Sequence, residues 1–283
     1  MSETAAGILF LVATPIGNLE DISLRAIRIL READLIAAED TRHTAKLLHH
    51  YDIRRPMSSL HEHNEQEKVP VFVGRLRGGA RVALVTDAGT PAVSDPGYRL
   101  VRAAIDAGIR VEAIPGPSAV LAALVSSGLP TDGFVFAGFP PSKAAARRTW
   151  FESLEGERRT LVFFEAPHRV RETLEAALDT LGDREASLGR ELTKLHEEVI
   201  RGSLSAIVGR LGEPRGEFTV VVAGMKDVAT GTEQQVSDSQ LLKDFGHITE
   251  SGVGRREAIS ELARRYHLRS RDVFAAIDRA RRP

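Results

Sequence analysis

ILFLVATPIGN, residues 8–18, runs directly from an apolar segment into a turn that contains Thr14, Pro15 and Gly17. An apolar run of this length, ended by Pro and Gly, predicts a buried β-strand. Residues 81–91, RVALVTDAGTP, repeat the arrangement further along the chain. Because longer amphipathic stretches separate such runs, the sequence predicts βαβ units and an α/β fold with a largely parallel sheet.

The predicted strands fall into two series. The first contains five strands, of which 57–60 is the weakest, at residues 8–13, 35–38, 57–60, 81–86 and 110–114. The second contains four strands, at residues 134–137, 160–164, 185–189 and 218–223. Segments with helical periodicity, such as 170–181, separate them, so two sheets are expected.

Turn residues indicate where the domain boundaries lie. Pro115-Gly116-Pro117 and a helix at 118–127 separate the two series, so we expect α/β domains at 1–117 and 118–227. A polar stretch at 228–240, rich in Gly, Ser and Gln, predicts a linker. Two short helices are expected between 254 and 283, so residues 228–283 should form a linker and a small helical extension.

Composition excludes several classes of protein. The 283 residues are 42% hydrophobic, which is enough for two modest cores, and the net charge is −1. Bulk charge therefore gives no reason to expect nucleic-acid binding, and an anionic partner must meet a local basic patch. The absence of cysteine excludes disulfides, thiolate zinc sites and thiol nucleophiles, and suits a reducing cytosol.

No apolar run approaches the roughly 18 residues that a membrane helix requires. Glu3 is acidic where a secretory signal would carry a basic region. We therefore expect a cytoplasmic protein with no membrane partner.

The C-terminal segment 251–283 holds nine arginines and four acidic residues. Arg255 and Arg256 are the first of these arginines. Two interpretations remain open. The arginines form a solvated helical face, or they bind the phosphate backbone of a nucleic acid.

Ligands of open α/β sheets bind at the carboxyl ends of the strands. Residues 87–97, DAGTPAVSDPG, form a loop rich in Gly and Pro after one predicted strand, and residues 115–119, PGPSA, enter a helix after the next. The start of that helix favours an anionic group. Neither the dinucleotide pattern G-x-G-x-x-G nor a phosphate-binding P-loop occurs, which disfavours a nicotinamide enzyme, an ATPase and a kinase.

These motifs carry a resemblance to a known family. The chain resembles the tetrapyrrole-methylase class of S-adenosylmethionine-dependent methyltransferases and, within that class, the ribosomal RNA small-subunit methyltransferase I family. The match covers roughly residues 7–226, and its segments are 13–21 ATPIGNLED, 38–42 AEDTR, 61–64 HEHN, 86–91 TDAGTP, 115–119 PGPSA, 164–169 FEAPHR and 190–194 RELTK. The wider class often has Asp where Thr90 stands and glycines where Ala13 and Pro15 stand, which suits the RNA branch.

The resemblance implies two α/β/α domains of the tetrapyrrole-methylase (class III) type that form a homodimer and hold S-adenosylmethionine in a cleft. It implies methyl transfer to the ribose 2′-hydroxyl of a cytidine in the decoding region of 16S ribosomal RNA, within the small ribosomal subunit, with no metal required. The implied cofactor contacts are Pro15, Ile16, Asp87, Ala88, Gly89, Thr90, Val93, Ser94, Pro117, Ser118, Ala119, Phe164, Glu165, Ala223 and Gly224.

A ribose hydroxyl is a poor nucleophile at neutral pH, so a side chain should assist the loss of its proton. The candidate catalytic residues are Glu39, Asp40, His63 and Glu165, and our hypothesis is that Glu39 or Asp40 is the base or orients the ribose. The candidate RNA contacts are Arg42, His61, Asn64, His168, Arg169, Arg190, Lys194, Arg255 and Arg256.

Structural interpretations of the same residues stay open. Glu39-Asp40 is also typical of a helix cap, and residues 165–169 of the start of a helix. Arg190, Glu191 and Lys194 suit a surface ion-pair network. His61 and His63 permit a metal on one strand face, but no third ligand is evident.

Two other functions also remain open. One is a methylase of a tetrapyrrole-like or other small acceptor on the same fold, because fold does not determine substrate. The other is a non-catalytic ribosome-assembly factor that binds RNA.

Overall fold

A computed structural model of the chain describes residues 7–225, 237–250, 253–266 and 270–281. The chain divides into two compact units, Met1–Met225 and Lys226–Pro283. The first unit contains two five-stranded sheets. None of the helices in these ranges has both the length and the apolar character of a membrane span.

The first sheet is parallel throughout, as the sequence predicts, and its strand order is β3-β2-β4-β1-β5. Its strands are β1 (Ile8–Val12), β2 (Leu35–Ala38), β3 (Met57–Ser59), β4 (Arg81–Val85) and β5 (Arg110–Ile114). The helices between them are α1 (Leu24–Glu32), α2 (Thr41–His50), α3 (Glu65–Arg77) and α4 (Tyr98–Asp106). All five predicted strands of this series are confirmed.

Both faces of the first sheet are covered, which explains why its three inner strands, β1, β2 and β4, are apolar at nearly every position. Leu9 and Leu84 pack on one face with Phe72 of α3. Phe10 and Val85 pack on the other face, in a cluster that includes residues of α1. The carboxyl ends of the strands therefore meet at one edge between two layers of helices.

The second sheet has the order β6-β7-β10-β8-β9. In chain order, its strands and helices are α5 (Ala119–Ser127), β6 (Phe134–Phe136), α6 (Ala144–Glu152), β7 (Thr160–Glu165), α7 (Val170–Leu181), β8 (Glu185–Arg190), β9 (Glu198–Ser203), α8 (Leu204–Arg210) and β10 (Phe218–Val222). The four predicted strands and the helix 170–181 are confirmed. Helix α5 packs on this sheet through Val120 and Leu124.

The second sheet corrects two expectations. It is mixed, because β6 pairs parallel with β7 while the other three pairings are antiparallel. The sequence analysis also missed β9, a partly exposed edge strand with weak apolar alternation. Only a short turn joins β8 to β9, and a parallel pairing would need a crossover of a dozen residues or more.

The second unit contains α9 (Asp238–Glu250), α10 (Arg255–Arg265) and α11 (Ser270–Arg281). Their core includes Leu241, Phe245, Leu262 and Val273. The two predicted helices are confirmed, but α9 begins inside the segment 228–240 that the composition predicts to be a linker. Residues 228–236 of that segment lie outside the described residues.

Gly224 is held by close backbone packing after β10. A Cβ atom at this position would lie 1.9 Å from the carbonyl oxygen of Arg158, whereas a Cβ at Gly209 in α8 would meet no atom within 4 Å. We expect Gly224→Ala to lower the free energy of unfolding by about 1–3 kcal/mol, because the backbone must shift. The control Gly209→Ala should raise it by up to about 1 kcal/mol. Urea denaturation of both variants checks this, and equal effects would contradict it.

Candidate active site

The turns that follow β1 and β4 are joined by backbone hydrogen bonds. The amide of Thr14 donates to the carbonyl of Gly89 over 2.9 Å, and the amide of Gly89 donates to the carbonyl of Thr14 over 3.0 Å. The Thr14 hydroxyl also donates to the carbonyl of Thr86 over 3.1 Å. Gly89 has a φ of +78°, and a Cβ there would lie 3.7 Å from Ile16. The two turns thus form one rigid wall.

The loop 87–97 is held in a strained conformation. Ala92 and Ser94 have positive φ angles of 66° and 62°, which cost roughly 1–3 kcal/mol each for residues with a side chain. Its far end is fixed by the buried carboxylate of Glu65, which accepts hydrogen bonds from the amides of Gly97 and Arg99 over 3.2 and 3.1 Å. Such strain is typical of functional loops.

A cavity of about 580 Å³ lies between these turns and the second sheet. Its volume is within the range of roughly 300–1,000 Å³ that small-molecule sites occupy. The predicted cofactor residues that line it are Ile16, Ala88, Gly89, Thr90, Val93, Ser94, Ser118, Ala119, Phe164 and Glu165.

An aromatic cluster forms the wall of the cavity on the side of the second sheet. The ring of Phe164 lies 5.0 Å from that of Phe136 and 5.4 Å from that of Phe139, between ring centroids. Phe139 is 52% exposed and lines the cavity, so part of its ring is available to a ligand there. The sequence analysis missed Phe136 and Phe139, although β6 is parallel to β7 and so ends at the same edge of the sheet.

The start of α5 also lines the cavity. The hydroxyl of Ser118 caps this helix by accepting a hydrogen bond from the amide of Leu121 over 3.4 Å. The first amides of a helix have no partners within it and favour negative charge. This corner of the cavity therefore suits a carboxylate.

Five of the predicted cofactor residues do not line this cavity. Pro15 and Asp87 line a neighbouring one, and Pro117 lines neither. Ala223 and Gly224 follow the far end of β10. Because β10 runs antiparallel to β7, its amino end, at Phe218 and Thr219, lies beside Glu165 and Phe164 and lines the cavity instead.

The neighbouring cavity measures about 380 Å³ and shares Ile16, Ala88 and Glu217 with the first. Its other lining residues come from the turn after β1, from α2, from the end of β4 and from the turn before β9: Thr14, Pro15, Gly17, Leu19, His43, Thr44, Lys46, Leu47, Thr86, Asp87 and Lys194.

The turn before β9 contacts the turn after β1. The amide of Asn18 donates to the Thr193 hydroxyl over 3.2 Å, and a Cβ on Gly17 would lie 2.4 Å from Cγ of Lys194. The ammonium of Lys194 is held 2.9 Å from Glu191 and 3.0 Å from Glu217. Lys194 therefore lies in an ion-pair network, as one interpretation of the sequence has it, and also on a cavity wall.

Three carboxylates converge where β2 and β4 end. The amide of Asp87 lies 3.5 Å from the carboxylate of Glu39, whose pKa is raised by burial and by the negative charge of Asp87. Burial and the charge of Glu39 raise the pKa of Asp95 to about 6, although a hydrogen bond from Thr86 opposes the shift. Asp95 lines the larger cavity, and the sequence analysis did not single it out.

Asp40 differs from its neighbour Glu39. Its carboxylate caps α2 by accepting from the amide of Arg42 over 2.8 Å, and it pairs with the Arg42 guanidinium at 2.8 Å. Hydrogen bonds from the Arg42 side chain hold the pKa of Asp40 far below its usual range. The cap interpretation is confirmed for Asp40, and this geometry does not suit a base.

The carboxylate of Glu165 is held by several hydrogen bonds at the start of α7. Its buried carboxylate accepts hydrogen bonds from Arg169 over 2.6 Å, from the Ala166 amide over 2.7 Å and from the Thr173 hydroxyl over 2.6 Å. This geometry matches the structural interpretation, in which the segment opens a helix. His168, the remaining candidate of this segment, is exposed.

The segment after β3 is organised around Asn64. Its side-chain oxygen accepts from the His61 amide over 2.9 Å, and its amide nitrogen lies 3.1 Å from Nε2 of His61. Nδ1 of His61 is buried and has no partner within the described residues. His63 is exposed. Across the described ranges, no group of three His, Asp or Glu side chains is arranged to hold a metal.

The remaining candidate RNA contacts are Arg190 of the first unit and two arginines of the second unit. Arg190 donates to the carbonyl of Arg215 over 2.8 Å and lies 3.5 Å from Glu198. In the second unit, the guanidinium of Arg255 lies 6.0 Å from the ring centroid of Phe274. The side chain of Arg256 lies outside the described part of the chain.

Comparison with known proteins identifies relatives of the chain. The family model of Tetrapyrrole (Corrin/Porphyrin) Methylases matches residues 9–208. Ribosomal RNA small subunit methyltransferase I of Halalkalibacterium halodurans is 45% identical over 95% of this chain and 93% of its own length. The protein of that name from Pseudomonas aeruginosa is 51% identical over 78% of this chain and 80% of its own length.

Among solved structures, the uroporphyrin-III-C-methyltransferase of Thermus thermophilus has the same fold. Its TM-score is 0.54, with 21% identity over 76% of this chain and 94% of that one. At this identity the likeness concerns the fold alone.

The raised pKa of Asp95 makes stability depend on pH. Because the folded state holds this proton more tightly than the unfolded chain, the contribution of Asp95 is present below about pH 4 and is lost as the pH rises through about 6. We expect Asp95→Asn to become more stable relative to the native protein between pH 4 and 7. Denaturant titrations across this range check the shift, and parallel pH profiles would contradict it.

Proposed function

The chain belongs to the ribosomal RNA small subunit methyltransferase I family of tetrapyrrole methylases, and on that premise we propose that it methylates RNA of the small ribosomal subunit with S-adenosylmethionine. The name shared by its relatives supports this acceptor. The more specific proposal is a ribose 2′-hydroxyl of a cytidine in 16S ribosomal RNA. The single observation that carries the proposal is the cavity between the joined turns and the second sheet.

The residues around the larger cavity fit S-adenosylmethionine. The aromatic wall of Phe136, Phe139 and Phe164 suits a purine ring, and the start of α5 at Ser118 suits the amino-acid carboxylate. At Gly89 the backbone itself forms the cavity wall. When bound, the cofactor supplies a methyl group that its sulfonium makes electrophilic. The protein then has to position the acceptor and remove a proton.

We propose that Asp95 and Glu39 provide the proton acceptor. Both carboxylates have a raised pKa, which brings a carboxylate closer to the range where a general base works near neutral pH. Asp40 and Glu165, by contrast, are bound to Arg42 and Arg169. Their roles in this proposal are to cap α2 and to fix the start of α7. His63 is exposed, and the proposal gives it no catalytic role.

Three further features belong to the proposal. The domain boundary lies between residues 117 and 118, because α5 packs on the second sheet. The protein acts as a homodimer, for which the exposed Leu121 and Val125, one turn apart on α5, supply an apolar surface. The arginine-rich second unit adds affinity for RNA phosphates, in the cytoplasm where ribosomes assemble.

The function is tested with small ribosomal subunits from cells that lack this modification. We expect the protein to transfer a labelled methyl group from S-adenosylmethionine to the RNA of these subunits. Because a 2′-O-methyl group blocks the attack of the ribose hydroxyl on its phosphate, the product should resist alkaline cleavage at one position. A label on a base, or methylation of a tetrapyrrole but not of subunits, would contradict the proposal.

The proton acceptor is tested in single turnovers with saturating cofactor. Loss of a general base typically costs roughly 10²–10⁴-fold in rate, so Asp95→Asn or Glu39→Gln should slow methylation by at least about 10²-fold. The native rate should rise with pH through about 6 and then level off, because the ionised carboxylate is the active form. The matched control is Asp40→Asn, which should stay within a few-fold. If only the control is slow, the assignment is wrong.

A further inference from the structure

The smaller cavity has the position of an acceptor site. It shares the lining residues Ile16, Ala88 and Glu217 with the larger cavity, so the two cavities adjoin along these residues. Methyl transfer requires the acceptor to be held next to the donor. Its volume of about 380 Å³ lies within the range of sites for small molecules and single nucleotides.

The chemistry of the smaller cavity changes from its exposed side to its buried side. Lys46 and His43 of α2 are exposed, and Lys46 forms no ion pair within the described residues. Asp87 and the buried Thr86 lie at the other side, where β4 ends. Leu19 and Leu47 supply apolar surface beside them. These groups match the parts of one nucleotide. The unpaired ammonium suits the phosphate, the apolar surface suits the base, and the carboxylate suits the ribose hydroxyl.

The other cation of this cavity is less available to a phosphate. Lys194 already lies against both Glu191 and Glu217, which neutralise it. Arg42, also on α2, is paired with Asp40. Lys46 is therefore the cation on this wall that is free to take an anionic partner.

We propose that the smaller cavity receives the acceptor ribonucleotide of the RNA and that Lys46 binds its phosphate. The inference rests on the proposed function and specifies where that substrate binds. The nucleotide is unstacked from its neighbours when it enters, because the cavity holds one nucleotide and not a helix. Asp87 then lies at the ribose, and because its amide is 3.5 Å from the carboxylate of Glu39, the ribose hydroxyl enters beside the carboxylates proposed as the proton acceptor.

Substitution of Lys46 tests the phosphate contact. Lys46→Ala should raise KM for small subunits by about tenfold or more, the usual effect of losing a hydrogen bond to a charged group, while the Kd for S-adenosylmethionine stays the same. Lys46→Arg should restore most of the affinity. Lys143 is exposed and lines neither cavity, so Lys143→Ala should match the native protein. An unchanged KM in Lys46→Ala would overturn the inference.

The absence of cysteine from the chain permits a direct test of occupancy. Lys46→Cys introduces a single thiol, and its alkylation by N-ethylmaleimide should be slowed by small subunits and not by S-adenosylmethionine. The thiol of Lys143→Cys should be protected by neither. If S-adenosylmethionine alone slowed alkylation of the thiol in Lys46→Cys, this cavity would be the cofactor site, and the inference would be overturned.

The two proposals fail in different ways. A native protein that transfers no methyl group to small subunits contradicts the proposed function and the inference that rests on it. Normal methylation of subunits, with no protection at position 46 and an unchanged KM in Lys46→Ala, contradicts the inference alone.

Discussion

The pair of backbone hydrogen bonds between Thr14 and Gly89 is the constraint on which the rest of the site depends. It joins the turns after two adjacent parallel strands, so both cavities are lined by the same pair of turns. Backbone bonds survive most changes of side chain, which leaves Ile16 and Ala88 free to face ligands. The left-handed backbone of Gly89 permits the pairing, since a side chain there would be strained.

Negatively charged side chains cluster at the same edge of the sheet, beside a largely apolar cavity. Glu39, Asp87 and Asp95 come from the ends of β2 and β4 and from the loop beyond. The charge of Asp87 makes the ionisation of Glu39 less favourable, and the charges of Glu39 and Asp87 do the same for Asp95. Asp40 lies one residue from Glu39, yet its pKa is shifted in the opposite direction because Arg42 binds it. Neighbouring carboxylates thus have different pKa values because their burial and the charged groups that bind them differ. This pattern is common at active sites.

The inner strands of the first sheet were predictable from sequence because strands buried on both faces are apolar at nearly every position. The second sheet was less so. The edge strand β9 carries Glu198 and Arg201 and lacks a clear apolar pattern. The resemblance implied contacts at Ala223 and Gly224, whereas the antiparallel direction of β10, which the sequence did not show, places Phe218 and Thr219 at the cavity. Helix α9 was missed because the burial of its apolar residues depends on α10 and α11.

The sequence by itself determined the fold class, the family and the turns that surround the larger cavity, because strand periodicity and the Gly- and Pro-containing motifs are local properties of the chain. The tertiary structure alone decided which carboxylates share an environment and which are neutralised. Asp95 and Glu39 are distant in sequence, and the pKa of each depends on burial and on charges that meet only after folding. The second cavity has the same origin, since Lys46 reaches it from helix α2 and Lys194 from the turn before β9.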